Sequence, residues 1–131
     1  MLDVLTITVS IDRDWQDLYN AIWRPEAFPS WASGLANSTL EECGDHWKAH
    51  GPEGSVSIRF TTHNQFGVMD HYVCLSSGDE IYVPLRVFQN GAGAEVAFTL
   101  FRQPGMSASK FEADAAWVRH DLAALSARFS S

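Results

Sequence analysis

Ser107-Ala108-Ser109-Lys110-Phe111-Glu112-Ala113-Asp114-Ala115-Ala116-Trp117-Val118-Arg119-His120-Asp121-Leu122-Ala123-Ala124-Leu125-Ser126-Ala127-Arg128-Phe129 is the stretch that decides the fold. Phe111, Ala115, Val118, Leu122, Leu125 and Phe129 recur at alternating steps of four and three, which is one apolar stripe on an α-helix. Ser109 with Glu112 fits a capping box, and Ser107 is an equally good N-cap. Ala113, Ala116, Ala123, Ala124 and Ala127 are expected to widen the stripe without adding bulk. At ~1.5 Å per residue the helix is roughly 30 Å long, about the length of a nine-residue strand. It needs a sheet to lie on.

The 131 residues suit one domain, and 46% hydrophobic with 19% charged content is that of an ordinary globular protein. A net charge of −7 argues against nucleic acid or an anionic membrane as partner, since both select for Lys and Arg. Cys43 and Cys74 make no disulfide framework, and Met1-Leu2-Asp3 opens no signal peptide. No apolar run approaches the ~20 residues of a membrane span, so a cytoplasmic location is expected. Asn37-Ser38-Thr39 matches a glycosylation acceptor, which means nothing without secretion.

Working back from the helix, the chain reads as strands. Leu5, Ile7, Val9 and Ile11 alternate with Thr6, Thr8 and Ser10, a half-buried strand over 2–11. Asp12 is expected to cap a short helix that puts Trp15, Leu18, Tyr19 and Ile22 on one face. Pro25 ends it, and residues 25–31 hold at most one further turn. Gly44-Asp45, Gly51-Pro52-Glu53-Gly54, His63-Asn64-Gln65, Ser76-Ser77-Gly78-Asp79 and Asn90-Gly91 are turn signals. They separate six further strands, roughly 37–43, 46–50, 55–62, 66–75, 80–89 and 94–102, and the short turns make neighbours antiparallel. Seven strands at ~4.8 Å spacing span roughly 30 Å, whereas a helix is ~10–12 Å thick. The expectation is therefore an α+β domain over 1–131, in which a curved seven-stranded antiparallel sheet wraps around the long C-terminal helix. Two short helices after the first strand close one end.

The early amphipathic helix, the segment Pro25-Glu26-Ala27-Phe28-Pro29-Ser30-Trp31 and the C-terminal Trp117-Val118-Arg119-His120-Asp121-Leu122-Ala123-Ala124-Leu125 resemble the helix-grip (SRPBCC) superfamily. That superfamily includes birch pollen allergen, START lipid-transfer domains and polyketide cyclases. The chain is most similar to bacterial members labelled polyketide cyclase/dehydrase-like. The resemblance covers the whole chain and implies a ligand space between the sheet and the long helix. It carries over no single catalytic motif.

Individual residues sharpen this. Asp70 and His71 interrupt a segment that is apolar on both faces, so one of them must face the interior. An unpaired aspartate is the costlier to bury, which assigns His71 inward, as a hydrogen-bonded core histidine or as a pocket group. Trp31 follows the closing helices and is expected at a pocket mouth or packed under a loop. Pro84 interrupts the strand 80–89 and calls for an edge or a bulge, leaving the facing of Tyr82 and Arg86 open, while Arg59 reads as outward. Cys43, His46 and His50 have metal-like spacing. As one hairpin strand, however, the two histidines would stand about 13 Å apart, and no metal site is expected there. Cys74 lies in an apolar strand with nothing to activate it.

The ligand-lining set expected from these readings and the resemblance is Trp31, Met69, His71, Val73, Phe98, Val118 and Leu122, with His71 as the one catalytic candidate. No cofactor is called for. Three functions stay open. One is a cyclase- or dehydratase-like enzyme that shuttles a proton through His71. Another is a non-catalytic carrier or sensor of a small hydrophobic molecule. The third is a co-chaperone-like interaction module with a filled core, and a homodimer is compatible with each.

Overall fold

The computed structural model describes residues 1–32, 40–51 and 54–130. The order is β1 (Val4–Ile11), α1 (Trp15–Ile22), a 3-10 helix (Pro25–Ser30), β2 (Glu41–Cys43), β3 (His46–Gly51), β4 (Gly54–Phe60), β5 (His71–Cys74), β6 (Glu80–Val83), β7 (Leu85–Asn90), β8 (Gly93–Phe101) and α2 (Ala108–Phe129). The segment expected as a strand over 37–43 begins before the described residues, which show only Glu41–Cys43 in that state. The Asn37-Ser38-Thr39 triplet and Pro52-Glu53 lie outside the described residues.

The strands form two antiparallel sheets, β1-β8-β7 and β2-β3-β4-β5-β6, rather than the single seven-stranded sheet expected. Pro84 is the reason. The segment 80–89 is one run in sequence, but a proline has no N–H to continue the ladder. Before it, Val83 pairs with His71; after it, Leu85 pairs with Phe98. The run thus changes partner at Pro84 and becomes β6 in one sheet and β7 in the other. The sheets stay joined beside this break. Thr99 N donates to Pro84 O at 2.9 Å, Met69 N to Leu85 O at 2.8 Å, and Val87 N to Gly67 O at 2.9 Å. Gly67 adopts φ 71°, and a Cβ there would fall on the Val87 carbonyl oxygen, so only glycine brings the chain this close. For the same reason the strand expected over 66–75 shortens to His71–Cys74.

Residues 25–30 form a six-residue 3-10 helix, about two turns where at most one was expected, and α1 is capped by Asp14, not Asp12. The Asp14 carboxylate accepts from Asp17 N at 3.1 Å. α2 is capped by Ser107, whose hydroxyl accepts from Lys110 N at 3.1 Å. Ser107→Ala should therefore cost about 1 kcal/mol in chemical denaturation, whereas Ser109→Ala should cost a few tenths.

α2 lies chiefly on β1, with a smaller contact to β8, and α1 lies on β7 and β8. Ala115, Val118, Leu122 and Leu125 are its buried residues, as the stripe requires. Val118, Leu122 and Leu125 join Ile11, Leu85, Val87 and Val96 from the three-stranded sheet and Leu18, Tyr19 and Ile22 from α1 in one core. The alanines depart from expectation. Ala113, Ala116, Ala123 and Ala127 are exposed, so they form a second face of α2 and do not widen the first.

Candidate functional site

The five-stranded sheet has a polar and an apolar side, set by register. Trp47, Ile58, Val73 and Ile81 lie in one cross-strand row, and Phe60, His71 and Val83 in the next. Ala49, Ile58, His71 and Val83 from this side are buried. The opposite side carries Arg59, which pairs with Glu80 at 2.7 Å and stands over the Tyr72 ring at 4.9 Å. Asp70 is on that side too, and its environment explains why. It accepts from Tyr82 Oη at 2.8 Å, from Leu85 N at 2.9 Å and from Arg86 Nη2 at 2.9 Å. With its side chain 14% exposed, burial alone would raise the Asp70 pKa; Arg86, the Leu85 N–H and Tyr82 outweigh it and hold the carboxyl below its usual range. The facing of Tyr82 and Arg86, open from sequence, follows from this carboxylate.

His71 consequently points inward. It is 8% exposed and is the one histidine or charged residue buried among the described residues. Its ring meets Phe28 edge-on at 5.7 Å and Phe60 at 5.5 Å. Nδ1 lies 3.1 Å from the Met69 carbonyl oxygen. A carbonyl only accepts, so Nδ1 carries the proton and Nε2 is left as a bare acceptor. No hydrogen bond to Nε2 is formed among the described residues. Burial lowers the His71 pKa, against the smaller opposing effects of the Met69 carbonyl and Asp70, and the ring is neutral near pH 7.

Trp31 also meets Phe28, with ring centroids 5.4 Å apart. It is 4% exposed, so it is packed inside and not at a mouth. Its Nε1 is buried with no hydrogen-bond partner among the described residues. A buried orphan donor costs on the order of 1–3 kcal/mol and is uncommon in a folded chain. Phe28 thus touches both rings, one bearing a buried donor without a described partner and the other an acceptor that no described residue engages.

The other expected lining residues fall into two groups. Met69, Val118 and Leu122 belong to the filled core, and Phe98 packs against it. Val73 is half-buried between Ile58 and Ile81. A cleft of about 620 Å³ opens beside Ile81, where the end of the five-stranded sheet faces the start of α2. Leu75, Glu80 and Ile81 line one side of it; Met106, Lys110 and Asp114 line the other. Lys110 Nζ and Asp114 Oδ1 are 2.7 Å apart across its rim. None of the seven expected residues lines this cleft. Lys110 and Asp114 were visible in sequence only as a four-residue ion-pair spacing beside the stripe, which marks an exposed face and nothing more. Phe28 and Phe60 carried no signal beyond being apolar.

Leu75, Val73 and His71 are alternate residues, so a line of roughly 13 Å leads from the cleft to the His71 row. Other chemistry is not assembled. Cys43 pairs with His46 across the β2–β3 hairpin, while His50 Nδ1 is 3.0 Å from Ser55 Oγ. Among the described residues no three His, Cys, Asp or Glu side chains are grouped to hold a metal. The Glu80 carboxylate beside Cys74 Sγ pushes its thiol pKa up, the wrong direction for a nucleophile. No helix among the described residues is long and apolar enough to cross a membrane.

No protein-family model matches the chain, and no curated protein matches it in sequence. Solved structures do share its architecture. The protein XoxI from Bacillus cereus superposes with a TM-score of 0.77 at 15% identity, over 98% of this chain and 96% of that one. A START superfamily protein from Mycobacterium smegmatis gives 0.72 at 11% identity over 95% of each chain. The Aha1 dimer from Colwellia psychrerythraea gives 0.69 at 12% identity, over 95% and 94%. Identities this low speak to the fold alone. The fold is the START-like helix-grip fold, here with its sheet divided at Pro84.

Proposed function

We propose that the chain binds a small, largely apolar molecule between the five-stranded sheet and α2. The apolar body enters at the cleft beside Leu75 and Ile81 and runs along Val73. A polar end, a hydroxyl or carbonyl, reaches the row of His71. The observation that carries this reading is the buried donor Trp31 Nε1, unpartnered among the described residues, whose ring meets Phe28 as does that of His71, with Nε2 an acceptor that no described residue engages. A ligand hydroxyl, able to donate and accept, suits either group. The START-like fold is consistent with such a space.

Binding is favoured over catalysis because His71 has no carboxylate to orient it as a base. Asp70, next in sequence, is turned to the opposite side and engaged by Arg86. A proton-shuttling, cyclase-like role is the second reading, and it rests on the same bare Nε2.

Native mass spectrometry of the purified protein should reveal a bound species of a few hundred daltons. Titration with 2-naphthol and naphthalene should show a preference for the hydroxyl of roughly three- to tenfold. His71→Phe should abolish that preference while leaving naphthalene affinity nearly unchanged. Equal affinities for the two probes in the unsubstituted protein would overturn the reading.

A further inference from the structure

α2 has two apolar faces, and the chain itself covers one. On the other, Ala113, Ala116, Ala123 and Ala127 are exposed, and Trp117 stands 56% exposed. The Trp117 and His120 rings meet edge-on at 6.5 Å, and with Ala113 and Ala116 they line a shallow groove of about 450 Å³. A floor of alanines beside a tryptophan lets a second helix approach closely while giving it a large apolar contact.

We propose that this face pairs with the same face of a second copy of the chain, α2 against α2, antiparallel about a two-fold axis. The charges beside the groove are complementary to those of a second copy and, for antiparallel helices, fix the register. At about 100° per residue, Glu112 and Arg119 flank one side of the groove, and Lys110 and Asp121 flank the other. In an antiparallel pair related by a two-fold axis, each side of one helix meets the same side of the other, read in reverse. A single register, centred between Ala115 and Ala116, sets Glu112 opposite the partner's Arg119. The same register sets Lys110 opposite the partner's Asp121, and symmetry makes each contact twice. It also brings Ala116 against the partner's Ala116 and Trp117 over the partner's Ala113. A parallel, in-register pair would instead set Lys110 beside the partner's Glu112 and Asp121 beside the partner's Arg119, so the mixture of the two charge variants below, which restores every contact only in the antiparallel pair, separates the two orientations.

One helix face buries less than the ~800 Å² per partner of a standard interface, so this dimer is weak and concentration-dependent. Lys110 also holds Asp114 at 2.7 Å within its own helix, which leaves Glu112 and Arg119 as the cleaner probes. In sedimentation velocity from about 10 μM to 1 mM, the protein should shift from monomer to dimer. Glu112→Arg and Arg119→Glu should each weaken this roughly tenfold, because each opposes like charges at two symmetric contacts. An equimolar mixture of the two variants should dimerise again, since one chain then carries both positive and the other both negative residues. Trp117→Ala, with its circular dichroism unchanged, should also weaken the dimer. A monomer throughout the range, a dimer indifferent to the single charge variants, or a mixture that stays monomeric would each overturn the proposal.

Discussion

Leu122→Ala should destabilise the protein by about 2–5 kcal/mol, while Arg128→Ala, six residues further along the same helix, should cost under about 0.5 kcal/mol. The difference is one of facing. Leu122 is among the largest fully buried side chains, in the core formed with α1 and the three-stranded sheet. Removing its branch deletes buried methyl groups and leaves a cavity that a close-packed core refills only in part. Arg128 is exposed, and its guanidinium lies over the neighbouring Phe129 ring at 5.7 Å, a contact of small worth at a wet site. Urea titrations of the two variants give the comparison directly. Similar midpoints for both would mean that α2 is not anchored through its 115–118–122–125 face.

The same helix shows what sequence patterning conveys and where it stops. The four-three spacing identified the buried stripe correctly because leucine and valine have a strong preference for burial, and four of the six stripe residues are buried. The alanines were misassigned because alanine is indifferent: it is a good helix former whether it faces core or water. Only coordinates distinguish an alanine that widens a stripe from one that floors a groove. Pro84 is the counterpart among the strands. Its missing N–H announced a local fault, but a fault can be an edge, a bulge or a change of partner, and sequence alone does not rank them. For the site, the alternation at Asp70 and His71 put the histidine inside because burying an unpaired carboxylate is the costlier choice. The structure arrives at that facing with Asp70 held by Tyr82, Leu85 and Arg86 on the other side. The cleft was not legible. It is assembled from Leu75, Ile81, Met106 and Lys110, which meet only because the start of α2 faces the end of β5 and the start of β6.

Lowering the pH from about 7 to 5 should destabilise the protein through His71, and His71→Phe should remove that part of the slope. The histidine has an unfolded pKa near 6.5, and in the folded chain burial lowers it, since desolvation penalises the imidazolium. Above about pH 6.5 the ring is neutral in both states and contributes no slope. Below it, the unfolded chain takes up a proton that the folded chain refuses. Stability therefore falls as the pH falls, with a limiting slope of about 1.4 kcal/mol per pH unit, until the folded pKa is reached. Carboxylates do not confuse this window. Arg86 and its neighbours hold Asp70 below its usual value, and hydrogen bonds from Cys74 and Arg59 do the same for Glu80, so the stability these two supply is lost only below about pH 4–5. The phenyl ring of the variant keeps the contacts to Phe28 and Phe60 but leaves the Met69 carbonyl unpaired, so a constant offset in stability is expected. The diagnostic quantity is consequently the difference in slope between pH 5 and 6.5, measured by urea unfolding at several pH values. Identical slopes for the two proteins would mean that the folded chain admits the proton as readily as the unfolded one. His71 would then be hydrated, and the bare Nε2 acceptor proposed for the ligand would be absent.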